Sequence, residues 1–281
     1  MLNTKLPTTL LISCLILPAL AACDEAGEPG PTAEDHDAEL AARPWIGLAP
    51  LGDPDLAMPA SLDGPPRFAA EIPTQASHHP KFKHVSPKPK HLIGWTRWAL
   101  AQSFTDGPIN DATGEHCGDE QSGPIWYLAG TFGGPVEREC TVPFGKKLVF
   151  PLMNGWCVFP VEHYPDQASI DAALPEIEGF YTSFFDEVCS LTLRVDGVDV
   201  RPDLETLRED TYLDVFDPFE IELTEDHWAP SFAGGTMDAV TAGYFAVIHA
   251  LSPGDHVIEF GGENCAQQFS TSASYSLHVG S

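Results

Sequence analysis

The sequence predicts a mainly β protein: an antiparallel β-sandwich, jelly-roll-like, with one inserted helical segment interrupted by proline. Three observations lead there. From residue 92 onward, short runs of β-branched and aromatic residues recur between turn signals, the spacing expected of strands in a two-sheet fold. One stretch around residue 177 instead repeats its apolar residues at three- and four-residue steps, which is the period of a helix face. No longer period is detectable, so a propeller or solenoid is not expected.

The predicted strands are 125–131, 136–142, 147–152, 191–195, 212–216, 219–223, 244–251, 256–260 and 274–279. Asp196-Gly197 falls between Leu193-Arg194-Val195 and Val198-Asp199-Val200, a two-residue hairpin signal. Ser252-Pro253-Gly254-Asp255 is expected to join two late strands in the same way, and Pro143-Phe144-Gly145-Lys146 to turn a third pair. The helical stretch carries Ile170, Leu174, Ile177, Tyr181, Phe184, Phe185 and Val188, with Asp166 placed to cap it. Pro175 removes a backbone donor from its middle, so a kink or two short helices are expected. Its apolar face reads as core.

What precedes the domain divides into three pieces. Residues 1–22 carry Lys5, an apolar run over 10–17 broken by Pro18, and Leu20-Ala21-Ala22-Cys23. The run is too short to span a bilayer, and small residues directly before a cysteine end it. This arrangement resembles the lipobox of bacterial lipoproteins. The resemblance implies cleavage after Ala22, lipid on the Cys23 thiol, acylation of the new amino terminus with palmitate-like chains, and anchoring to the inner or outer membrane of the envelope. Residues 23–66 read as a tether: from 24 on they hold ten acids, one base (Arg43) and eight prolines, too polar to offset the entropy of ordering. A coil of that length reaches roughly 30 to 40 Å. Residues 67–91 form a basic arm with His78, His79, His84, His91 and four lysines but no acid beyond Glu71. Its prolines deny a regular scaffold for metal capture, and the arm is expected to lie against its own acidic domain. The sandwich is placed at 92–281.

Charge narrows the partners. Against 14 Lys and Arg stand 41 Asp and Glu, a net charge of −27, a field that repels phosphate and excludes nucleic-acid binding through a basic surface. At 43% hydrophobic residues the chain is not disordered throughout. Cys117, Cys140, Cys157, Cys189 and Cys265 should oxidise in an envelope compartment. Order along the chain favours Cys117 with Cys140 and Cys157 with Cys189, leaving Cys265 over.

Chemistry-bearing residues concentrate between Trp95 and Trp156. The chain reads Trp95-Thr96-Arg97-Trp98, then Thr113-Gly114-Glu115-His116-Cys117, Gln121-Ser122-Gly123-Pro124-Ile125-Trp126, Arg138-Glu139-Cys140-Thr141-Val142-Pro143-Phe144-Gly145-Lys146 and Pro151-Leu152-Met153-Asn154. This order resembles a group of uncharacterised exported bacterial proteins built on a W-x2-W, T-G-x2-C, Q-x-G-x-x-W-x-L-x-G, R-x-C-x-V-P-x-G-K core. The resemblance implies a secreted β domain and supplies no substrate.

Three functions compete for that region. Trp95, Trp98 and Trp156 offer faces on which sugar rings stack, with Asn154, Arg138 and Gln121 reaching hydroxyls or carboxylates. The competing reading is that the tryptophans fill the core, and Trp126 is read that way. Asp119, Glu120, Glu137 and Glu139 offer an acid and base pair for hydrolysis, although no nucleophile or phosphate-loop signature occurs. Asp106, Asn110, Asp111, Thr113, Glu115, Asp119 and Glu120 crowd one loop with the oxygen ligands of a calcium site. No other cofactor is expected. Arg138, between Glu137 and Glu139, is expected to point inward. Asp226-His227-Trp228 and Asp255-His256 are possible acid–base pairs with no nucleophile tied to either. The reading favoured overall is a lipid-anchored envelope protein that binds an extracytoplasmic ligand, carbohydrate or another envelope component. A carboxylate hydrolase and a structural or protein-interaction module are the alternatives.

Overall fold

The computed structural model describes residues 14–15, 82–201, 203–229, 233–249 and 251–280. Cys23, the tether and most of the expected leader lie outside the described residues. Two sheets carry the fold. In the first, β5 (Lys147–Phe159) and β9 (Gly235–His249) pair antiparallel along their whole lengths. β3 (Ile125–Tyr127) runs parallel to the start of β5, and β1 (Cys14–Leu15) pairs antiparallel with Trp156 and Cys157 further along. β8 (Tyr212–Leu223) and β2 (Lys83–Val85) line the other side of β9. The second sheet has the order β4 (Gly134–Val142), β11 (Phe269–Val279), β10 (Gly254–Asn264), β6 (Val188–Val195), β7 (Val198–Asp199). β4 and β11 are parallel, so both sheets are mixed where the sequence predicts purely antiparallel ones.

Each face of the first sheet builds its own core. On β5, Leu148, Phe150 and Leu152 face the second sheet while Val149 faces away, as the period of two requires. An irregularity between Pro151 and Met153 resets that alternation. Beyond it, Met153, Cys157 and Phe159 join the sandwich core and Trp156 and Val158 the outer one. Gly243 lies opposite Asn154 at this point with φ +149°, and a Cβ there would sit 2.4 Å from the Met153 carbonyl. Only glycine lets the two backbones approach so closely.

Three helices close the cores. α1 (Pro89–Leu100) starts on a proline, and Leu92, Trp95, Thr96 and Ala99 recur at helical steps to pack on the outer face of the first sheet. The sequence reading assigned no helix here, and the domain therefore begins inside the predicted basic arm. The described part of that arm, residues 82–91, is docked, with His78 and His79 outside the described residues: Lys83–Val85 pairs with β9, and the His84 ring meets Arg201, which is paired with Asp210. Burial, then the Arg201 charge, lowers the His84 pKa to about 4, so the ring is neutral. α2 (Gln167–Asp186) fills one end of the sandwich with Ile170, Ile177, Tyr181 and Phe185. Asp166 caps it, accepting from the Ser169 amide at 2.9 Å. Pro175 does not divide it, contrary to expectation. Both Pro175 and Asp171, whose carbonyl loses its donor, face solvent, so water satisfies that group. α3 (Leu204–Thr211), capped by Asp203 onto the Thr206 amide at 2.8 Å, is too short and polar to stand out in the sequence.

The Asp196-Gly197 hairpin is present, both residues left-handed at φ 52° and 75°, as a two-residue turn demands. The other two predicted turns are not hairpins. Pro143–Lys146 carries the chain from β4 to β5 and Ser252–Asp255 from β9 to β10, and each crosses from one sheet to the other. Cys117 pairs with Cys140 as expected. The second bridge is Cys189–Cys265, not Cys157–Cys189. β6 and β10 are neighbours with Val188 opposite Asn264, which brings Cys189 beside Cys265. Cys157, buried against the Tyr181 hydroxyl, is itself disulfide-bonded.

Candidate functional site

The tryptophans proposed as a sugar shelf are core residues. Trp95 and Trp98 lie on the buried face of α1, and Trp95 is 1% exposed. Their indole N–H groups are spent inward, Trp95 donating to the Leu128 carbonyl and Trp98 to the Asp119 carbonyl, both at 2.9 Å. Trp98 stacks on Tyr127 with centroids 5.6 Å apart. Trp156 is 4% exposed and packs against Trp95, Phe132 and Trp228. Trp126 is buried as expected.

The polar members of that set are likewise engaged. Gln121 donates to the carbonyls of Cys117 and Tyr127 and accepts from the Tyr127 amide, which pins the loop before β3. The Asn154 amide nitrogen is enclosed, not directed at solvent. Arg138 does point inward. At 3% exposure it donates to the carbonyls of Ile109, Asp111, Ala129 and Gly130 and to the Tyr275 hydroxyl. The groove expected from Trp95, Trp98, Trp156, Asn154, Arg138 and Gln121 is therefore not formed.

The loop expected to hold calcium is stitched to itself. The Asp111 carboxylate accepts from the amide and hydroxyl of Thr113 and from the His116 amide, between 2.7 and 2.8 Å. Burial opposes ionisation, yet these bonds, with a further one from the Gly114 amide, bring its pKa down to about 2. Asn110 donates to the Phe104 carbonyl, and Asp119 meets the His116 ring at 2.8 Å. Among the described residues no three of the carboxylates Asp106, Asp111, Glu115 and Asp119 converge on one point. The one converging set, Cys189, Glu263 and Cys265, contains a disulfide and so offers no thiolates. Glu120, Glu137 and Glu139 are exposed, and Glu137 and Glu139 point out of β4 into solvent.

One arrangement outwardly matches nucleophile, base and orienting acid. His256 Nδ1 lies 2.8 Å from Asp196 Oδ2, and its Nε2 is 3.3 Å from Ser252 Oγ. Asp196, not the predicted Asp255, is the partner; Asp255 meets His278 at 2.7 Å. The same Nε2, however, lies 2.9 Å from the Ser252 carbonyl. A base must turn a lone pair towards its serine, whereas a carbonyl at that distance demands a proton on Nε2. The hydrogen bond to Asp196, opposed by burial and helped by the Ser252 carbonyl, raises the His256 pKa. The ring is thus a doubly donating imidazolium that ties the β6–β7 turn to the β9–β10 crossing.

Beside the buried tryptophans is a cleft that the sequence did not reveal. α1 ends at Leu100, and the loop after it brings Gln102, Ser103, Phe104, Pro108 and Ile109 against Phe132, Leu223, His227 and Trp228. Phe104, Phe132, His227 and Trp228 are all half-exposed. Their rings continue the buried cluster outward: Phe104 lies 5.4 Å from Phe132, and Phe132 and Trp228 lie 6.1 and 5.7 Å from Trp156. The cavity volume is about 20 Å³, room for about one water, so the cleft grips an edge of a ligand and does not engulf one. Gln102 Nε2 is enclosed here without a hydrogen-bond partner. Asp226, between the cleft and solvent, accepts from Ser103 Oγ at 2.6 Å and the Thr105 amide at 2.9 Å, which lowers its pKa. The sequence signal was Trp228 itself, directly after Asp226-His227 and outside any strand.

No family model, curated protein or solved structure matches this chain.

Proposed function

We propose that this chain is a lipid-anchored cell-envelope protein whose sandwich domain binds an extracytoplasmic ligand, carbohydrate first among them, at the cleft beside Trp228. Leu20-Ala21-Ala22-Cys23 supports the anchor. The ligand reading is carried by one observation: half-exposed Trp228, Phe132 and Phe104 surround a shallow cleft that Gln102, Ser103 and His227 also line. Aromatic faces with a few polar groups suit a sugar edge. The hydrolase alternative loses support because its carboxylates stand exposed to solvent and the cleft is too shallow to exclude water from a reacting bond. The protein-interaction alternative asks for a contiguous apolar patch, whereas Phe144, Val161, Val198 and Val257, the large exposed apolar residues among the described ones, sit on four separate segments.

The test uses the detergent-solubilised full-length protein, incubated with peptidoglycan and a panel of insoluble polysaccharides, with the supernatants assayed for released sugar. Retention without release, lost on Trp228→Ala and kept on Trp98→Phe, is the expected result. Release of sugar would replace this reading with the hydrolase. In the native host, labelling with a palmitate analogue should be abolished by Cys23→Ser.

A further inference from the structure

We infer that the ligand of the Trp228 cleft is a basic sugar, a hexosamine whose amine is free and protonated; this rests on the cleft being the binding site. Three features select charge as well as shape. The residues lining the cleft include no lysine or arginine, and the one lining side chain that can take up a proton, His227, is already in electrostatic contact with Asp226. Asp226 stands at its margin, exposed and held ionised by Ser103 and Thr105. Its Oδ1 accepts only a 3.2 Å bond from the Thr105 hydroxyl among the described residues, which leaves acceptor capacity facing solvent.

The rings supply the second feature. Phe104 and Phe132 are inclined at 57°, Phe132 and Trp156 at 65°, and Trp156 and Trp228 at 79°. Such edge-to-face packing is how aromatic clusters ordinarily fit together; what bears on charge is that Phe104, Phe132 and Trp228 are half-exposed around the cleft, and an exposed π face attracts a cation. The third feature is the net charge of −27, which concentrates cations at the surface and repels uronic acids. In the inferred complex the sugar ring lies on Trp228 and its ammonium group reaches Asp226 and the aromatic faces. The small enclosed volume fits an amine and one ring edge.

The experiment follows the tryptophan fluorescence of the purified full-length protein during titration with four oligosaccharides of equal length: a free-amine glucosamine oligomer, its fully N-acetylated counterpart, a neutral glucan and an oligouronate. The free-amine oligomer should bind at least about tenfold more tightly than the N-acetylated one, and the oligouronate should not bind. About 0.5 M salt should erode the difference, because exposed ion pairs are screened. Asp226→Asn should bring the two glucosamine oligomers to within about twofold of each other. Its retained binding of the neutral oligomer and unchanged thermal midpoint would show that the loop still folds. Equal binding of charged and neutral oligomers, or a preference that survives Asp226→Asn, overturns the inference and leaves the carbohydrate reading standing. Absence of binding by all four overturns both.

Discussion

Arg138 and Tyr275 occupy register-matched positions on the parallel strands β4 and β11, and the arginine donates to the tyrosine hydroxyl at 2.9 Å. That hydroxyl in turn donates to the Ala129 carbonyl at 2.9 Å, and the guanidinium carbon lies 5.6 Å from the ring centroid. Among the described residues no carboxylate pairs with Arg138. Its charge is solvated by four backbone carbonyls instead, so the side chain acts as a rivet through the 109–111 loop, the 129–130 segment and the second sheet. Arg138→Ala strands all of those acceptors without water. The expected loss is about 3 to 5 kcal/mol, read as a lowered denaturation midpoint with an unchanged urea slope. Arg138→Lys, which keeps the charge but loses the fork, should recover less than half of it. A loss under about 1 kcal/mol for the alanine variant would show that the carbonyls find other partners.

The Cys117–Cys140 and Cys189–Cys265 bridges close loops of unequal length, and their contributions should differ accordingly. Cys117–Cys140 spans 23 residues and Cys189–Cys265 spans 76. In the chain-entropy description they contribute about 3.4 and about 4.5 kcal/mol. Paired replacement by alanine should therefore cost about 1 kcal/mol more at the second bridge than at the first, measured by urea denaturation. Peptide mapping under non-reducing conditions should recover Cys189 with Cys265.

His256 makes stability depend on pH in a stated direction. Its pKa in the folded chain is raised, chiefly by Asp196. Protonation therefore favours the folded state: the contribution is complete below the unfolded value of about 6.5 and is lost as pH rises through the higher folded value. The thermal midpoint of the parent protein should exceed that of His256→Gln most clearly at about pH 5.5 and approach it at about pH 9. A gap that widens with rising pH would mean that the ring is neutral and that its tie to the Ser252 carbonyl is misread.

Gly243 tests the close approach of β9 to β5. Alanine there places a methyl group against the Met153 carbonyl and the Asn154 backbone at a φ that L-residues avoid. Since neither is the end of a flexible side chain, relief requires β9 to move. A loss of about 3 kcal/mol is expected from strain and clash together. Gly179→Ala, on α2 with open space around it, should instead be neutral or slightly stabilising.

What the sequence shows and what it hides divide along physical lines. Strands such as 147–152 and 274–279 are legible because apolar side chains cluster or alternate where a sheet is buried on two faces or one. Asp166 and the apolar steps from Ile170 to Phe185 likewise announce their helix. α1 is not legible because Trp95 and Trp98, three apart, suit a sugar platform as well as a helix face, and only their packing on the first sheet decides between the two. Ser252–Asp255 and Pro143–Lys146 show that the chain turns, but a turn carries no record of which sheet the next strand joins. Cysteine pairing fails for the same reason: Cys189 and Cys265 are far apart in sequence and adjacent only because β6 and β10 are. The cleft was hidden because Gln102, Phe104, Phe132 and Trp228 come from three separate loops, and only the packing of α1 on the first sheet gathers them.

The parallel pairing of β4 with β11 also dictates a schedule. β4 is early and at the margin of its sheet, and its ladder partner is the last strand of the described chain. A ribosome or a translocon delivers the chain from one end. β4 therefore waits with one flank bare, and with Arg138 lacking the hydroxyl it will bond, until β11 has emerged. Non-local pairings of this kind are formed late and slowly. A truncation before Phe269 removes more than a terminal strand, because it strands β4 and detaches the rivet.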